Sequence, residues 1–337
     1  MIVISTGCPA GIGPEISVRA AADAKFPCLL VGDLATLRAA AKLVGVAPSR
    51  LVALKGKAAT GSQIPVLQSG PRMSARDRIG GKPTKTSGRA QLDYVESAFD
   101  WVRANPGSAL VTAPVSKAVI AKCGLARASH FLGHTEWLEE RDGAKVSTMC
   151  FATRKFATSL VTTHLPLSKV PRAISARKVA SATIALADLL SSITKGVPRI
   201  AICSLNPHAG ESALLGTEEA KAILPGIESA RRVLGKMAIL SGPIGAETAY
   251  RKAQAGGFDG VVAMYHDQAT IPTKLIAFGE AVNVTWGLSV IRTSVDHGTG
   301  YDIAWTGKAD ARGMRSAISL AKRLMTARAK GTRDLRP

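Results

Sequence analysis

The sequence of 337 residues predicts an α/β protein with a mainly parallel sheet, built as one large domain or as two of ordinary size. Two observations predict this class. Hydrophobic β-type runs alternate with helical segments along the whole chain, an order that favours parallel strands joined by right-handed crossovers. No internal repeat and no low-complexity linker interrupts that alternation. We therefore expect the domains to be interleaved along the chain rather than joined in series.

The first half of the chain contains strands that are followed by helices. A helix between residues 87 and 104 is predicted from apolar residues at helical spacing, with Leu92, Val95 and Phe99 on one face. The polar, basic segment 69–86 is predicted as an exposed loop. The other predicted elements of this half are strands at 2–6, 28–33, 51–54, 64–68 and 108–114, and helices at 14–24, from about 34 to 42, and from 116.

The second half repeats the alternation. Short apolar runs that end in polar or glycine-rich segments predict buried strands, and longer amphipathic segments predict helices. The predicted strands lie at 147–152, 157–163, 199–205 and 260–265, with one extended stretch at 281–294 and helices at about 172–193 and 310–329.

Composition excludes several classes of protein. Hydrophobic residues make up 46% of the chain, which is enough for a core, and no run approaches the roughly 20 apolar residues that span a bilayer. The N-terminus lacks the basic segment of a signal peptide. The five cysteines are scattered, odd in number and never form CxxC, which indicates reduced thiols. We expect a cytoplasmic protein without a membrane partner.

The net charge of +20 raises the question of an anionic partner. A nucleic-acid-binding protein would show a basic cluster or aromatic residues interleaved with basic ones. Here lysine and arginine are dispersed and aromatic residues are only 4% of the chain. We predict no nucleic-acid partner and a basic surface that attracts small anionic ligands.

The segment GCPAGIGPE (7–15) places glycines where a strand turns into a helix. A helix N-terminus offers free N–H groups and a partial positive charge to an anion. The segment is not the GxGxxG dinucleotide motif, and no acidic residue follows at the expected distance. Two interpretations stay open, an anion-binding turn and a tight turn that only needs glycine conformations.

Three histidines carry the strongest functional signal. His164, His208 and His266 each follow a hydrophobic β-type run, and residues at the carboxyl ends of strands face the crevice where open α/β sheets bind ligands. Imidazole is the commonest metal ligand among side chains. The wide spacing along the chain excludes a local helical motif such as HExxH. The three positions predict a divalent-metal site, with Asp267 as a partner behind His266 or as a helix cap.

Lys274, Asn283 and Arg292 follow His266 closely. Arginine makes forked contacts with carboxylate or phosphate, and lysine supplies a compact cation. A single basic residue in so basic a chain is usually a solvated surface charge. Arg292 is different, because it follows the apolar run LSVI, where a surface position is less natural.

Taken together, the motifs resemble the 4-hydroxythreonine-4-phosphate dehydrogenase family, which has the isocitrate/isopropylmalate dehydrogenase-like fold. The resemblance extends from Ile2 to about Met325. The motifs that carry it, in chain order, are GCPAGIGPE, TAPVSK, GHTE, TTHLPL, LNPHAGE, GPIGAET, MYHDQ, VNVTWGL and IRTSVDHGTGYDIA.

The resemblance implies a set of roles. It makes His164, His208 and His266 the ligands of a divalent metal (Zn, Mg, Co or Mn) at the interface of a homodimer. It places His134, Thr135, Lys274, Asn283 and Arg292 at the substrate, and His297, Gly298, Thr299 and Asp302 at NAD or NADP. It implies an outer, cofactor-side domain of residues 1–125 and 277–337, a middle domain of residues 126–276 that carries the metal ligands and the dimer interface, and an active site in the cleft between them.

The implied reaction is the NAD- and metal-dependent oxidation of 4-phosphooxy-L-threonine in vitamin B6 biosynthesis. The product, 2-amino-3-oxo-4-phosphooxybutanoate, loses carbon dioxide to give 3-amino-2-oxopropyl phosphate. The alternative is a paralogue that oxidises another phosphorylated hydroxy acid, such as a four-carbon sugar-acid 4-phosphate. Both would use the same histidines.

Four positions depart from the family pattern. Trp305 stands where DIAGxG has glycine, Ala269 replaces the glycine after HDQ, Glu247 replaces the aspartate of GPxxADT, and Ser116 occupies a variable position of PVxK. None of them removes a predicted metal ligand or anion-binding residue. They bear on the identity of the substrate rather than on the class of enzyme.

Overall fold

A computed structural model of the chain describes residues 1–54, 62–144 and 146–331. The strands are β1 (Ile2–Ser5), β2 (Cys28–Gly32), β3 (Leu51–Ala53), β4 (Ile64–Gln68), β5 (Ala109–Thr112), β6 (Thr148–Ala152), β7 (Ala157–Leu160), β8 (Arg199–Cys203), β9 (Ile239–Ile244), β10 (Gly260–Ala263), β11 (Val282–Trp286) and β12 (Ile291–Val295). The helices are α1 (Gly13–Asp23), α2 (Leu34–Leu43), α3 (Lys85–Ala104), α4 (Lys117–Ala121), α5 (His134–Asp142), α6 (Val170–Ala173), α7 (Ala176–Ile193), α8 (Leu224–Leu234), α9 (Ala246–Gln254), α10 (His266–Ala277) and α11 (Arg312–Ala329).

The chain divides into two compact units. The first comprises Met1–Lys145 and Leu288–Met325, and the second comprises Val146–Gly287 and Thr326–Pro337. The predicted boundaries, after residues 125 and 276, come earlier in the chain than the crossings after Lys145 and Gly287, and the prediction did not include the third crossing, after Met325. Helix α5 belongs to the first unit because Leu138 is fully buried in a core cluster with Val95 and Phe99.

Strands of the first unit have the order β3-β4-β2-β1-β5-β12 and pair in parallel. Helix α3 covers them with the predicted apolar face, and Leu92, Val95 and Phe99 are fully buried. Burial of such a side chain stabilises the fold by about 1.5–3 kcal/mol. The N-terminus of α3 is fixed by a capping box in which Thr84 and Ser87 exchange hydrogen bonds.

Strands of the second unit have the order β11-β6-β7-β10-β8-β9. Strands β7, β10, β8 and β9 are parallel, and β6 is antiparallel to both of its neighbours. The carboxyl ends of the parallel strands therefore meet at one edge of the sheet. The predicted α/β class with mainly parallel sheets is confirmed.

Two sequence predictions were wrong in detail. The segment 69–86 is not a fully exposed loop, because Met73 and Asp77 are buried and Asp77 accepts hydrogen bonds from Ser74 and Thr84. The stretch 281–294 is not one extended segment. It divides into β11 and β12 at Gly287, whose φ of 107° is a conformation that favours glycine.

All five cysteines are free and buried. Burial raises the pKa of the Cys150 and Cys203 thiols far above the usual range, which keeps them protonated and unreactive. None of the helices within residues 1–54, 62–144 and 146–331 is both long enough and apolar enough to cross a membrane.

Candidate active site

His164 and His266 lie beyond the carboxyl ends of adjacent strands. Strands β7 and β10 pair in register, and the pairing continues past their ends because the Val161 N–H donates to the Ala263 carbonyl. His266 then begins α10, and His164 follows β7 after a short turn. The parallel register brings these two predicted ligands to one place.

The two imidazole rings are close enough to share an ion. Their centroids are 5.6 Å apart, with an angle of 42° between the ring planes. Two imidazoles on one zinc-sized ion have ring centres roughly 5 Å apart, given metal–nitrogen bonds near 2 Å. His266 Nδ1 lies 2.6 Å from Asp267 Oδ1, so that the carboxylate orients the ring and leaves Nε2 for a ligand. This pair fits a divalent metal.

The third predicted ligand, His208, lies in an unusual turn after β8. The segment Pro207–Ala213 winds with positive φ at His208 (49°), Ala209 (54°), Glu211 (41°) and Ser212 (56°). A left-handed conformation costs roughly 1–2 kcal/mol for each residue other than glycine. Strain of this kind persists where surrounding contacts impose it, and it is concentrated at functional sites.

His164, His208 and His266 do not lie together as a three-ligand metal site within one chain. Among the residues that the structure describes, no group of three or more His, Cys, Asp or Glu side chains is placed to hold a metal ion. His164 and His266 are brought together, and His208 is not assembled with them in such a group.

Arg292 is buried inside the first unit, as its apolar setting indicated. The residue is 3% exposed and its Nη2 donates to Thr112 Oγ1 at 2.8 Å, a contact between neighbouring strands β12 and β5. Burial lowers the pKa of Arg292 to about 10, so the guanidinium remains charged at neutral pH. A charge held at such a desolvation cost is well suited to bind a carboxylate or phosphate.

His134 lies near this charge at the start of α5. Burial, together with the positive charges of Arg292 and Lys117, holds the pKa of His134 well below its usual range. The ring is therefore neutral, and its Nε2 is buried without a hydrogen-bond partner. A Cβ at Gly133 would lie 3.2 Å from Lys117 Nζ and 2.7 Å from Glu136 Oε2, so both side chains end beside the backbone that precedes His134. We call Arg292, His134 and Lys117 the anion-binding group.

The other predicted substrate residues occupy separate elements. Thr135 lies half-buried in α5, next to His134. In the second unit Asn283 is half-buried on β11, opposite Phe151, and Lys274 is exposed in the last turn of α10.

The predicted cofactor loop contacts the GCPAGIGPE segment within the first unit. The Thr299 carbonyl accepts from the Ile12 N–H at 2.9 Å, and the buried Glu15 carboxylate accepts from the backbone N–H groups of Trp305 and Gly307. The segment 7–15 thus makes tight contacts within the chain, which favours its interpretation as a tight turn over its interpretation as an anion-binding turn.

His297 Nδ1 lies 3.0 Å from the Gly298 carbonyl, and its Nε2 is buried without a partner. That buried acceptor fits a ligand such as a nucleotide; Gly298 and Asp302 are exposed beside it.

The departures from the family pattern have local explanations. Trp305 keeps a left-handed backbone (φ 62°), and its indole donates to the Pro9 carbonyl at 2.8 Å. Ala269 is fully buried in an apolar cluster. Glu247 is exposed and accepts from Thr248 and Arg251 of its own helix. Ser116 caps α4 through the Val119 N–H at 3.4 Å.

Four residues near these sites were not predicted from the sequence. Lys117 and Glu136 end beside the backbone that precedes His134, and Gln268 and Glu219 form hydrogen bonds with the backbone that follows β8 and β10. The motifs TAPVSK, GHTE and MYHDQ already contained three of them. Their position beside a predicted ligand or substrate residue was the available signal. Glu219 carried no such signal, because it lies well beyond LNPHAGE in the sequence.

Comparisons with known proteins cover nearly the whole chain. The model of a family described as pyridoxal phosphate biosynthetic protein PdxA matches residues 24–321. A 4-hydroxythreonine-4-phosphate dehydrogenase of Desulfosudis oleivorans is 40% identical over 328 residues, 95% of each chain. A solved structure of a putative 4-hydroxythreonine-4-phosphate dehydrogenase from Salmonella typhimurium is 36% identical with a TM-score of 0.82, covering 96% of this chain and 99% of that one. The corresponding enzyme from Klebsiella pneumoniae is 32% identical with a TM-score of 0.80 over the same shares.

Proposed function

This chain belongs to the PdxA family of pyridoxal phosphate biosynthetic proteins, as its motifs predicted, and we propose that it oxidises 4-phosphooxy-L-threonine with NAD and a divalent metal. The observation that carries the proposal is the pair His164–His266, with Asp267 behind one ring. The product would be 2-amino-3-oxo-4-phosphooxybutanoate, which loses carbon dioxide to give 3-amino-2-oxopropyl phosphate.

His164, His208 and His266 would hold the metal. A bound divalent ion polarises a substrate oxygen and lowers the pKa of a bound hydroxyl, which favours the loss of hydride to the nicotinamide. Asp267 keeps the His266 ring in the tautomer that leaves Nε2 as the ligand atom. The candidate metals are Zn, Mg, Co and Mn; imidazole ligands suit zinc, whereas oxygen ligands such as those of a substrate or water suit Mg and Mn.

The anion-binding group would neutralise the substrate. Arg292 offers a charged guanidinium in a buried setting, and Lys117 adds a second positive charge near His134. Because His134 is neutral, its buried Nε2 can exchange a hydrogen bond with the substrate without adding charge. Thr135, Lys274 and Asn283 would complete the contacts with the substrate, and His297, Gly298, Thr299 and Asp302 would bind NAD or NADP.

A homodimer would complete the metal site. The described part of one chain has no three-residue ligand group, which agrees with a site that needs a second copy. Large apolar side chains lie exposed just after both paired histidines, at Leu165 and Leu167 and at Ile271, Leu275 and Phe278. A contiguous exposed apolar patch marks a protein–protein interface, and we propose that these side chains form one. The buried free thiols agree with a cytoplasmic location.

The test of the substrate is NADH formation by the purified protein with a panel of phosphorylated hydroxy acids. We expect 4-phosphooxy-L-threonine to give the highest kcat/KM. A higher value for a four-carbon sugar-acid 4-phosphate would assign the chain to a paralogue and contradict the proposed substrate.

The test of the ligand role is His208→Ala. Because the side chain is exposed, we expect the melting temperature to stay near the wild-type value and turnover to fall at least about 100-fold, the effect of losing several kcal/mol of charge stabilisation. His130→Ala, which changes a histidine outside these motifs, is the matched control. Near-normal turnover of His208→Ala would reject the ligand role.

A further inference from the structure

The ends of β8 and β10 are joined by one side chain, Gln268. Its Oε1 accepts from the Met264 N–H at 2.7 Å, and its Nε2 donates to the Ser204 carbonyl at 2.9 Å. Met264 follows β10 directly, and Ser204 follows β8 directly. One amide therefore connects the two strand ends that lead to His266 and to His208.

The segment after Ser204 is held by a second side chain, Glu219. This carboxylate is 5% exposed, and Oε1 accepts from the N–H groups of Leu205 and Asn206 at 2.9 and 2.8 Å. Oε2 accepts from Asn206 Nδ2 at 2.9 Å. Burial opposes ionisation of Glu219, but these hydrogen bonds outweigh it and lower the pKa of the carboxyl. The carboxylate is charged at neutral pH and bound to the backbone that enters the turn of His208.

Glu219 also approaches the middle of the left-handed turn. A Cβ on Gly210 would lie 2.9 Å from Glu219 Oε2, so the carboxylate lies close against this part of the turn and a side chain at residue 210 would displace it. The turn itself adopts a conformation that non-glycine residues avoid. A strained turn keeps its shape only while its neighbours impose it. Gln268 and Glu219 supply those constraints at its entrance and along its inner side.

We propose that Gln268 and Glu219 are positioning residues for His208, which fix the strained turn in the conformation that presents its imidazole to the metal. The inference rests on the proposed ligand role of His208. Neither residue is proposed to contact the metal. Each acts through the backbone of Ser204, Leu205 and Asn206, so the loss of either should weaken metal binding and leave the substrate-binding residues intact.

The sharpest variant is Gln268→Glu. Its carboxylate keeps an acceptor for the Met264 N–H, but it places a second acceptor against the Ser204 carbonyl and so breaks the link to β8. The exposed Gln254→Glu, in the same unit, adds the same charge without that contact and is the matched control. Glu219→Gln is a second, independent variant, since it keeps the volume of the side chain and removes the charge.

The measurement is the dissociation constant of Co²⁺ for the intact, metal-free protein, by equilibrium dialysis, with the visible spectrum of the bound ion as a signature of its coordination. We expect Gln268→Glu and Glu219→Gln to weaken binding about 10- to 100-fold, the usual effect of removing a partner behind a metal ligand. We expect an altered spectrum in both variants and wild-type values for Gln254→Glu.

Two results would overturn the inference in distinguishable ways. If His208→Ala loses Co²⁺ but Gln268→Glu and Glu219→Gln bind it like the wild type, the positioning role is wrong and the proposed function stands. If the wild-type protein and His208→Ala bind Co²⁺ equally, the ligand role fails, and the inference fails with it. If Gln268→Glu does not fold, Glu219→Gln decides the question by the same criteria.

Discussion

The anion-binding group of the first unit and the three histidines of the second unit are built in opposite ways. Arg292 is buried between strands with a hydrogen bond to Thr112, and His134 is held neutral beside it. The histidines lie at the ends of strands on half-buried or exposed segments, one of them in a strained turn. The first group lies within one unit of the chain, whereas among the described residues only His164 and His266 of the second are brought together. A permanently charged, buried cation in the first unit therefore contrasts with three proposed metal ligands that lie nearer to the surface of the second.

The largest effect within the first unit is expected for Arg292→Met. Because a hydrogen bond to a charged group contributes about 1.5–3 kcal/mol, KM for the phosphorylated substrate should rise roughly 10- to 100-fold. Replacement of a buried charge by an apolar side chain removes its desolvation cost, so the melting temperature should not fall much. Steady-state kinetics and thermal unfolding measure the two effects.

The exposed Arg312→Met is the control for Arg292→Met, and we expect it to leave KM unchanged. An unchanged KM in Arg292→Met would show that the buried cation is structural. Arg292 would then have no part in binding the substrate.

A smaller effect should follow from the neutral state of His134. The pKa of this ring is depressed in the folded protein, so below about pH 6.5 the unfolded chain binds a proton that the native state does not. The free energy of unfolding should therefore fall with decreasing pH, by up to about 1.4 kcal/mol per pH unit from this group. Urea unfolding at pH 7.5, 6.5 and 5.5 should show a shallower decline in His134→Gln. Equal slopes in both proteins would contradict the neutral ring.

Lys117→Met should weaken the substrate's binding more modestly. The side chain is exposed, and a solvent-screened charge contributes up to about 1 kcal/mol, so KM should rise at most about fivefold. Lys117→Arg keeps the charge and should restore most of the affinity. The difference between Lys117→Met and the wild type should shrink at high salt, because salt screens exposed charges. A salt-independent loss would assign Lys117 a structural role instead.

The smallest effect concerns the strained turn of the second unit. Ala213 has φ 74° and is exposed, so Ala213→Gly should relieve strain and stabilise the protein by up to about 1 kcal/mol, since the relief exceeds the entropy cost of glycine. The same change at Ala39, inside α2, should destabilise by about 1 kcal/mol. Urea midpoints measure both. Destabilisation at both positions would show that the turn stores no strain.

The sequence allowed most of the strands and the longer helices to be predicted, because period and burial are local properties of the chain. It did not predict α5 and α10, which begin at His134 and His266. It also indicated that Arg292 is buried, since the residue follows an apolar run. The left-handed turn at 207–213 was not predictable, because alanine, serine and glutamate do not favour positive φ and only tertiary contacts impose it. Gln268 and Glu219 were missed for the same reason. Their role depends on which backbone atoms they reach, and sequence spacing does not contain that information.

The most direct test of the central claim is NADH formation from 4-phosphooxy-L-threonine by protein that has been stripped of metal with a chelator and then dialysed. We expect the stripped enzyme to lose turnover, and we expect added Co²⁺, Mn²⁺, Mg²⁺ or Zn²⁺ to restore it in the wild type but not in His208→Ala. Turnover that persists undiminished after complete removal of metal would contradict it.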